Sequence, residues 1–310
     1  MKGRRSALAV SFLCVQSSPP LVALAFTPDA TGRRPSTVAP PPATSPVPLR
    51  ASSEGAAAGA TPAPHLVFPG GGLFFYWQAG AVTYLREAGY DLSGCTMSGA
   101  SAGALTATLT TCGVDLVEAT ELALDLSDEA GVWDRGGGLQ GIWGPIIEDW
   151  LGRLLPTDAH LAAGAGGLSL LVTPVSLPLR AARVDEFGSR DDLVRACMAS
   201  VHLPWFLDGR WTTEFRGARH IDGSFLAGPG DYSPPAPAPS GGGPGDGSAP
   251  ASPPPVLRLD WTEDEGMQTQ AGDFVKLVSK DGIRSILDRG RTYARDVMEG
   301  RGDFDALPRL

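Results

Sequence analysis

Ser101 stands in the run Gly99-Ala100-Ser101-Ala102-Gly103. That spacing fits a serine nucleophile held on a sharp strand-to-helix turn, with glycines relieving the crowding around it. In a chain with 40 glycines the pentapeptide alone says little, so its surroundings decide. An apolar strand segment around Cys95-Thr96-Met97 precedes it, and a helical segment, Ala102 to Thr111, follows directly. The hydroxyl is then expected at the C-terminal edge of a sheet, where open α/β sheets place their sites. The helix N-terminus favours negative charge developing beside it.

A serine nucleophile needs a base and an oxyanion site. The four histidines are His65, His160, His202 and His220, and none follows residue 220, so the chain order serine, acid, histidine has no good candidate. Asp222 follows Ile221 and precedes Gly223-Ser224, a loop setting in which a partly desolvated carboxylate can take the serine proton directly. Gly70-Gly71-Gly72 closes an apolar strand on the preceding turn. Glycine lets such a loop turn its N–H groups toward a developing oxyanion. No Gly-Lys-Ser/Thr follows, which excludes a P-loop.

Together, Phe68 to Gly72, Gly99 to Gly103, Ala199-Ser200-Val201-His202-Leu203-Pro204-Trp205-Phe206 and Asp222-Gly223-Ser224 resemble a patatin-like phospholipase domain over about residues 65 to 226. The resemblance implies a doubly wound α/β fold with a mostly parallel sheet and helices on both faces. It also implies Ser101 as nucleophile, Asp222 as base of a Ser-Asp dyad, and the glycine loop as oxyanion hole. The activity implied is hydrolysis of acyl esters of phospholipids, galactolipids or acylglycerols, with no metal or cofactor. The chain departs from the family pattern twice. Phe74 and Phe75 stand where a Lys or Arg and then Gly often follow the glycine loop, and Ser224 replaces a Gly or Ala, a small-for-small change. A catalytically silent lipid-binding or scaffold protein on the same fold is the alternative, and a transacylase using the same acyl-enzyme is a variant of the first reading.

These residues need elements to hold them. Strand His65–Phe68, a helix from Tyr76 to Ala88 stopped at Gly89, the second strand and the helix ending before Gly113 make a βαβ pattern typical of a parallel sheet. Further helices are expected over Asp115 to Leu126 and from a capping box at Ser189-Arg190-Asp191-Asp192 toward Ser200. Strands are expected over Leu168 to Val175 and Val256 to Trp261, and a helix over Phe274 to Met298 interrupted near Gly282 and Gly290. Phe74-Phe75-Tyr76-Trp77 and the apolar positions Ile142, Trp143, Ile146, Ile147, Trp150, Leu151, Leu154 and Leu155 can line an acyl channel or touch a lipid surface. For the second stretch, core packing is the favoured reading.

Residues 1–25 read as a signal peptide, with Lys2, Arg4 and Arg5 before an apolar run from Ala7 to Val15 and small residues at Ala23-Leu24-Ala25. That run is too short to span a bilayer, and no transmembrane segment is expected in the mature chain. Residues 26–64 are rich in Ala, Pro, Ser and Thr and poor in acids, resembling the transit part of a two-part plastid address; a secretory destination is the alternative. The expected domain is 65–310, with 228–255 a flexible Gly/Pro/Ser-rich insertion. Residues 1–60 carry six basic and two acidic residues, whereas the remaining 250 carry 19 basic and 32 acidic. So acidic a domain excludes a nucleic-acid partner and argues against strong electrostatic docking on anionic membranes, leaving a lipid substrate and peripheral contact with a membrane or lipid droplet. Cys95, Cys112 and Cys197 show neither disulfide nor zinc spacing, and without any Asn the chain has no N-glycosylation site.

Overall fold

The computed structural model describes residues 62–234, 253–267 and 273–310. The signal-peptide and transit readings, apart from residues 62–64, and residues 235–252 of the insertion lie outside the described residues.

Seven strands form one mixed sheet: β1 His65–Phe68, β2 Thr96–Ala100, β3 Leu168–Pro174, β4 Ala182–Val184, β5 Thr213–Phe215, β6 Ala218–Ile221 and β7 Val256–Arg258. Their order is β5-β6-β3-β2-β1-β7, with β4 on β3. The site-bearing centre, β7-β1-β2-β3, is entirely parallel. The antiparallel pairs sit at the β3 edge. Helices α1 Phe75–Glu87, α2 Ala102–Thr111, α3 Leu116–Glu129, α4 Trp143–Leu154, α5 Ala159–Ala165, α6 Arg190–Ser200 and α7 Lys280–Tyr293 flank the sheet. The expected α/β class with a mostly parallel sheet is what the chain forms.

The strands divide their side chains as the pleat requires. Leu66, Phe68, Met97, Leu170 and Val172 enter the main helix-covered core. Val67, Ala100 and Leu171 form a second cluster on the other side, closed by Tyr232 and Ala227. His65 and Ser98 accompany that second cluster and satisfy their polar atoms on each other and on the Tyr232 carbonyl, at 2.8 to 2.9 Å. Residues 229–232 form a 3-10 turn whose Tyr232 is buried, so the start of the expected flexible insertion is part of the folded sheet covering.

Several boundaries depart from the sequence reading for local reasons. The helix expected from Phe274 begins only at Lys280, where Ser279 caps it by accepting from the Gly282 N–H at 3.1 Å. Neither glycine interrupts it. Gly290 is where α7 touches α1: a Cβ there would lie 1.9 Å from the Trp77 carbonyl oxygen, and one at Gly80 would lie 1.9 Å from that of Leu287. The expected capping box at Ser189 is half formed. Ser189 accepts from Asp192 N at 3.1 Å, while Asp192 reaches back one residue further, to Gly188 N at 3.0 Å. The last strand ends at Arg258, because Asp260 then caps a 3-10 turn over Trp261–Glu263.

Candidate active site

The chain leaves β2 at Ala100 and enters α2 at Ala102, so one residue must reverse it. Ser101 does so with φ 53° and ψ −129°, a strained conformation for a residue with a side chain. The flanking glycines permit the tight crossing that this requires. A Cβ on Gly99 would sit 2.2 Å from the Gly103 carbonyl oxygen, and one on Gly103 would sit 2.0 Å from that of Phe68. The turn is pinned by Ser200, whose hydroxyl accepts from Ser101 N at 2.9 Å and donates to Leu171 O at 2.7 Å. Sequence reasoning missed Ser200 in this role; its only signal was its place at the end of a predicted helix within a recognisable run.

Asp222 arrives from β6. Its N–H donates to His202 O at 2.8 Å, and Gly223 lets the backbone close onto β3, since a Cβ there would meet Leu171 O at 1.9 Å. The carboxylate is fully buried. Ser101 Oγ donates to its Oδ2 at 2.6 Å, while Ser224 donates to Oδ1 from both N (2.8 Å) and Oγ (2.7 Å). Burial pushes the carboxyl up to about 6, against the pull of those hydrogen bonds. Ser101 and Asp222, 121 residues apart in sequence, are therefore brought into direct contact. No histidine hydrogen-bonds to Ser101 among the described residues: His65 is satisfied within the sheet, and the His220 ring packs against Phe215.

Gly70, Gly71 and Gly72 follow β1 on the loop beside Ser101. Gly72 has φ 52° and lines the cavity that contains Ser101. Gly70 is squeezed between the two serines: a Cβ there would lie 2.6 Å from Ser224 Cβ and 3.2 Å from Ser101 Cβ. Trp261 holds the loop from outside, donating from Nε1 to Gly70 O at 3.2 Å and stacking on Phe74 with ring centroids 4.0 Å apart. Gln78 braces it from below, donating to Pro69 O at 2.9 Å. In place of the basic residue often found after this loop, Phe74 supplies a stacking surface and Phe75 a wall of the cavity.

That cavity is apolar. Beyond Ser101 and Gly72 its walls include Tyr76, Leu105, Trp143, Ile147, Leu203 and Leu277. The stretch from Ile142 to Leu155, for which core packing was the favoured reading, does both jobs. Leu151 and Leu155 are core, while Trp143, Ile146, Ile147 and Trp150 also face the cavity. No cluster of His, Cys, Asp or Glu suited to a metal occurs among the described residues, and burial pushes the Cys197 thiol up to about 12.

A serine on a strained strand-to-helix turn, at the C-terminal edge of a parallel sheet and against a buried carboxylate, defines a nucleophile-elbow α/β protein. The family model described as patatin-like phospholipase matches residues 66–229, more than half of the chain. The chain belongs to that family. The human patatin-like phospholipase domain-containing protein 2 is 32% identical over 170 residues, covering 51% of this chain and 32% of that protein. The human omega-hydroxyceramide transacylase is 29% identical over 171 residues, covering 52% and 31%. The chain thus spans about a third of the length of these curated relatives. Among solved structures, the ExoU–SpcU complex of Pseudomonas aeruginosa aligns with TM-score 0.42 and 19% identity, over 81% of this chain and 53% of that one.

Proposed function

We propose that the protein cleaves carboxylic esters of phospholipids, galactolipids or acylglycerols, with Ser101 as nucleophile and Asp222 as base. The observation that carries this reading is the 2.6 Å hydrogen bond from Ser101 to a fully buried carboxylate at an apolar cavity. Ser101 Oγ attacks the ester carbonyl carbon while its proton passes to Asp222 Oδ2. The carbonyl oxygen becomes an oxyanion beside the glycine loop, where N–H groups of Gly71, Gly72 and of Ala102, at the start of α2, supply donors, the Gly70 N–H being turned to the Tyr232 hydroxyl. When the carbon–oxygen bond to the alcohol breaks, Asp222 returns the proton to the departing oxygen. Water then attacks the acyl-enzyme, with Asp222 taking its proton and returning it to Ser101 Oγ as the bond to the acyl carbon breaks, which releases the fatty acid and restores the serine hydroxyl.

The apolar cavity suits an acyl chain, and a lipid surface is where such a chain is found. Phe74 to Trp77 and the Ile142 to Leu155 stretch turn inward, which leaves the loops around the site to meet that surface. Trp205, 60% exposed and held at φ 65°, lies between the cavity residues Leu203 and Leu207; Phe225 and Leu226, three and four residues after the acid, are exposed. Because relatives include a transacylase, an alcohol in place of water as acyl acceptor is the variant to be distinguished.

A fluorophosphonate probe tests the nucleophile. Wild-type protein is expected to take one label, on Ser101, and S101A none. D222N is expected to lose ester hydrolysis by at least about 100-fold, within the range for removing a positioned general base. A folded wild type that takes no label, or a D222N rate equal to wild type, would overturn the reading. Product analysis with and without added acceptor alcohol separates hydrolysis from transfer.

A further inference from the structure

Two hydrogen-bonding edges of one carboxylate decide which oxygen can act as base. Among the described residues Asp222 Oδ2 receives only the Ser101 hydroxyl, and Oδ1 receives only Ser224, twice. The Ser224 N–H would be present with any residue at 224 except proline. The hydroxyl, at 2.7 Å, belongs to this side chain alone. The same side chain packs against Gly70, so it joins the acid to the glycine loop as well.

We propose that Ser224 is a positioning residue of the dyad, gripping Asp222 Oδ1 so that Oδ2 alone faces the Ser101 hydroxyl and the carboxylate stays ionised in a dry site. The inference rests on the reading of Ser101 and Asp222 as nucleophile and base. A buried carboxylate stays charged only as far as donors replace its lost water. Here three hydrogen bonds from two residues do so, and removing the Ser224 hydroxyl leaves two. Tilting of the carboxylate plane about the Cβ–Cγ bond is opposed by the paired donors on Oδ1, because any intermediate angle draws one oxygen off Ser224 and the other off Ser101. The change from Gly or Ala to Ser at this position is thus chemically more than small for small. The hydroxyl deepens the ionised state at the point where burial works against it.

The test is the pH dependence of fluorophosphonate labelling of Ser101 in the full chain, from about pH 5 to about pH 8. Labelling of the wild type is expected to rise with pH through a limb near 6, as Asp222 loses its proton. In S224A the limb moves up by about one pH unit, the scale of one charge-assisted hydrogen bond. Labelling at the wild-type limb then falls by about fivefold, with a smaller loss near pH 8. S224C keeps the bulk against Gly70 but offers a weak donor, and it moves the limb the same way. Thermal unfolding monitors the fold of each variant. A limb that does not move in either folded variant, or a loss equal at every pH, would overturn the positioning role. Folded wild type that takes no label would sink the reading of Ser101 and this inference with it, whereas label with an unmoved limb sinks the inference alone.

Discussion

The base proposed for this site, Asp222, has to be ionised to take a proton, and it is buried where ionisation is costly. The cost has a sign that unfolding can read. Its folded value of about 6 lies above the ordinary carboxyl value of 3.8, so between those pH values the folded chain holds more proton than the unfolded one. Stability contributed by this group is then present below about 4 and is lost as pH rises toward 6. Two units correspond to about 3 kcal/mol. Because Asn has no proton to lose, urea denaturation of D222N relative to wild type is expected to show a stability difference that shifts in favour of the variant between pH 4 and pH 7, by up to about that amount. A difference that stays constant across the range would contradict the burial argument. Ser101 and Asp222 were legible in the sequence because their chemistry leaves marks beside them: glycines where backbones must touch, and no histidine beyond residue 220. Ser200 and Ser224 were not. A serine that hydrogen-bonds to a backbone or a carboxylate has no spacing rule, and only the fold shows which hydroxyl faces which oxygen.

Elements were legible where a periodic pattern coincided with a local stop signal. The α2 span Ala102–Thr111 matches the reading, as does β1, because Pro69 and the glycines stop the strand and Gly113 follows the end of the helix. The reading failed for α7, where glycine has two meanings. Gly290 reads in the sequence as a break, but it is the contact at which α7 meets α1, and Arg289 beside it donates to Asp264 at 2.8 Å. Asp264 in turn accepts from the Trp77 indole of α1 at 3.0 Å. Short strands β5 and β6 were missed because three or four residues give too little alternation to register. The two glycines of α7 therefore separate experimentally. G290A forces a methyl into the Trp77 carbonyl and is expected to destabilise by about 1 to 3 kcal/mol or more, as overpacking does. G282A lies in the first turn, where the nearest atom to the new methyl is the Ser279 hydroxyl at 3.3 Å, and helix propensity offsets the crowding. Its effect is expected within about 1 kcal/mol of wild type. Equal losses in urea denaturation would mean that the α1–α7 crossing is looser than this contact implies.

At the scale of the whole molecule, charge and apolar surface point in different directions. The segment after residue 60 has 32 acidic and 19 basic residues, so anionic lipid repels it and contact with a lipid surface has to come from apolar side chains. Trp205 and Phe225 are large, exposed and attached to the loops that carry the cavity wall and the acid, whereas Trp77 and Trp150 are consumed by the core. Burying one such ring in a lipid interface is worth about 1.5 to 3 kcal/mol, roughly ten- to a hundredfold in partitioning. Replacing both with alanine is therefore expected to weaken sedimentation with neutral phosphatidylcholine vesicles by tenfold or more and to lower hydrolysis of lipid in those vesicles in proportion. Hydrolysis of a soluble short-chain ester, which needs only the dyad and the near end of the cavity, is expected to fall far less. Salt gives a second axis. Apolar docking changes little as ionic strength rises, whereas docking through basic residues weakens as their attraction is screened. Equal losses on vesicles and on the soluble ester would place the effect inside the site rather than at its rim. Binding that strengthens with anionic lipid and dissolves with salt would require a basic surface, which the acid-rich composition argues against.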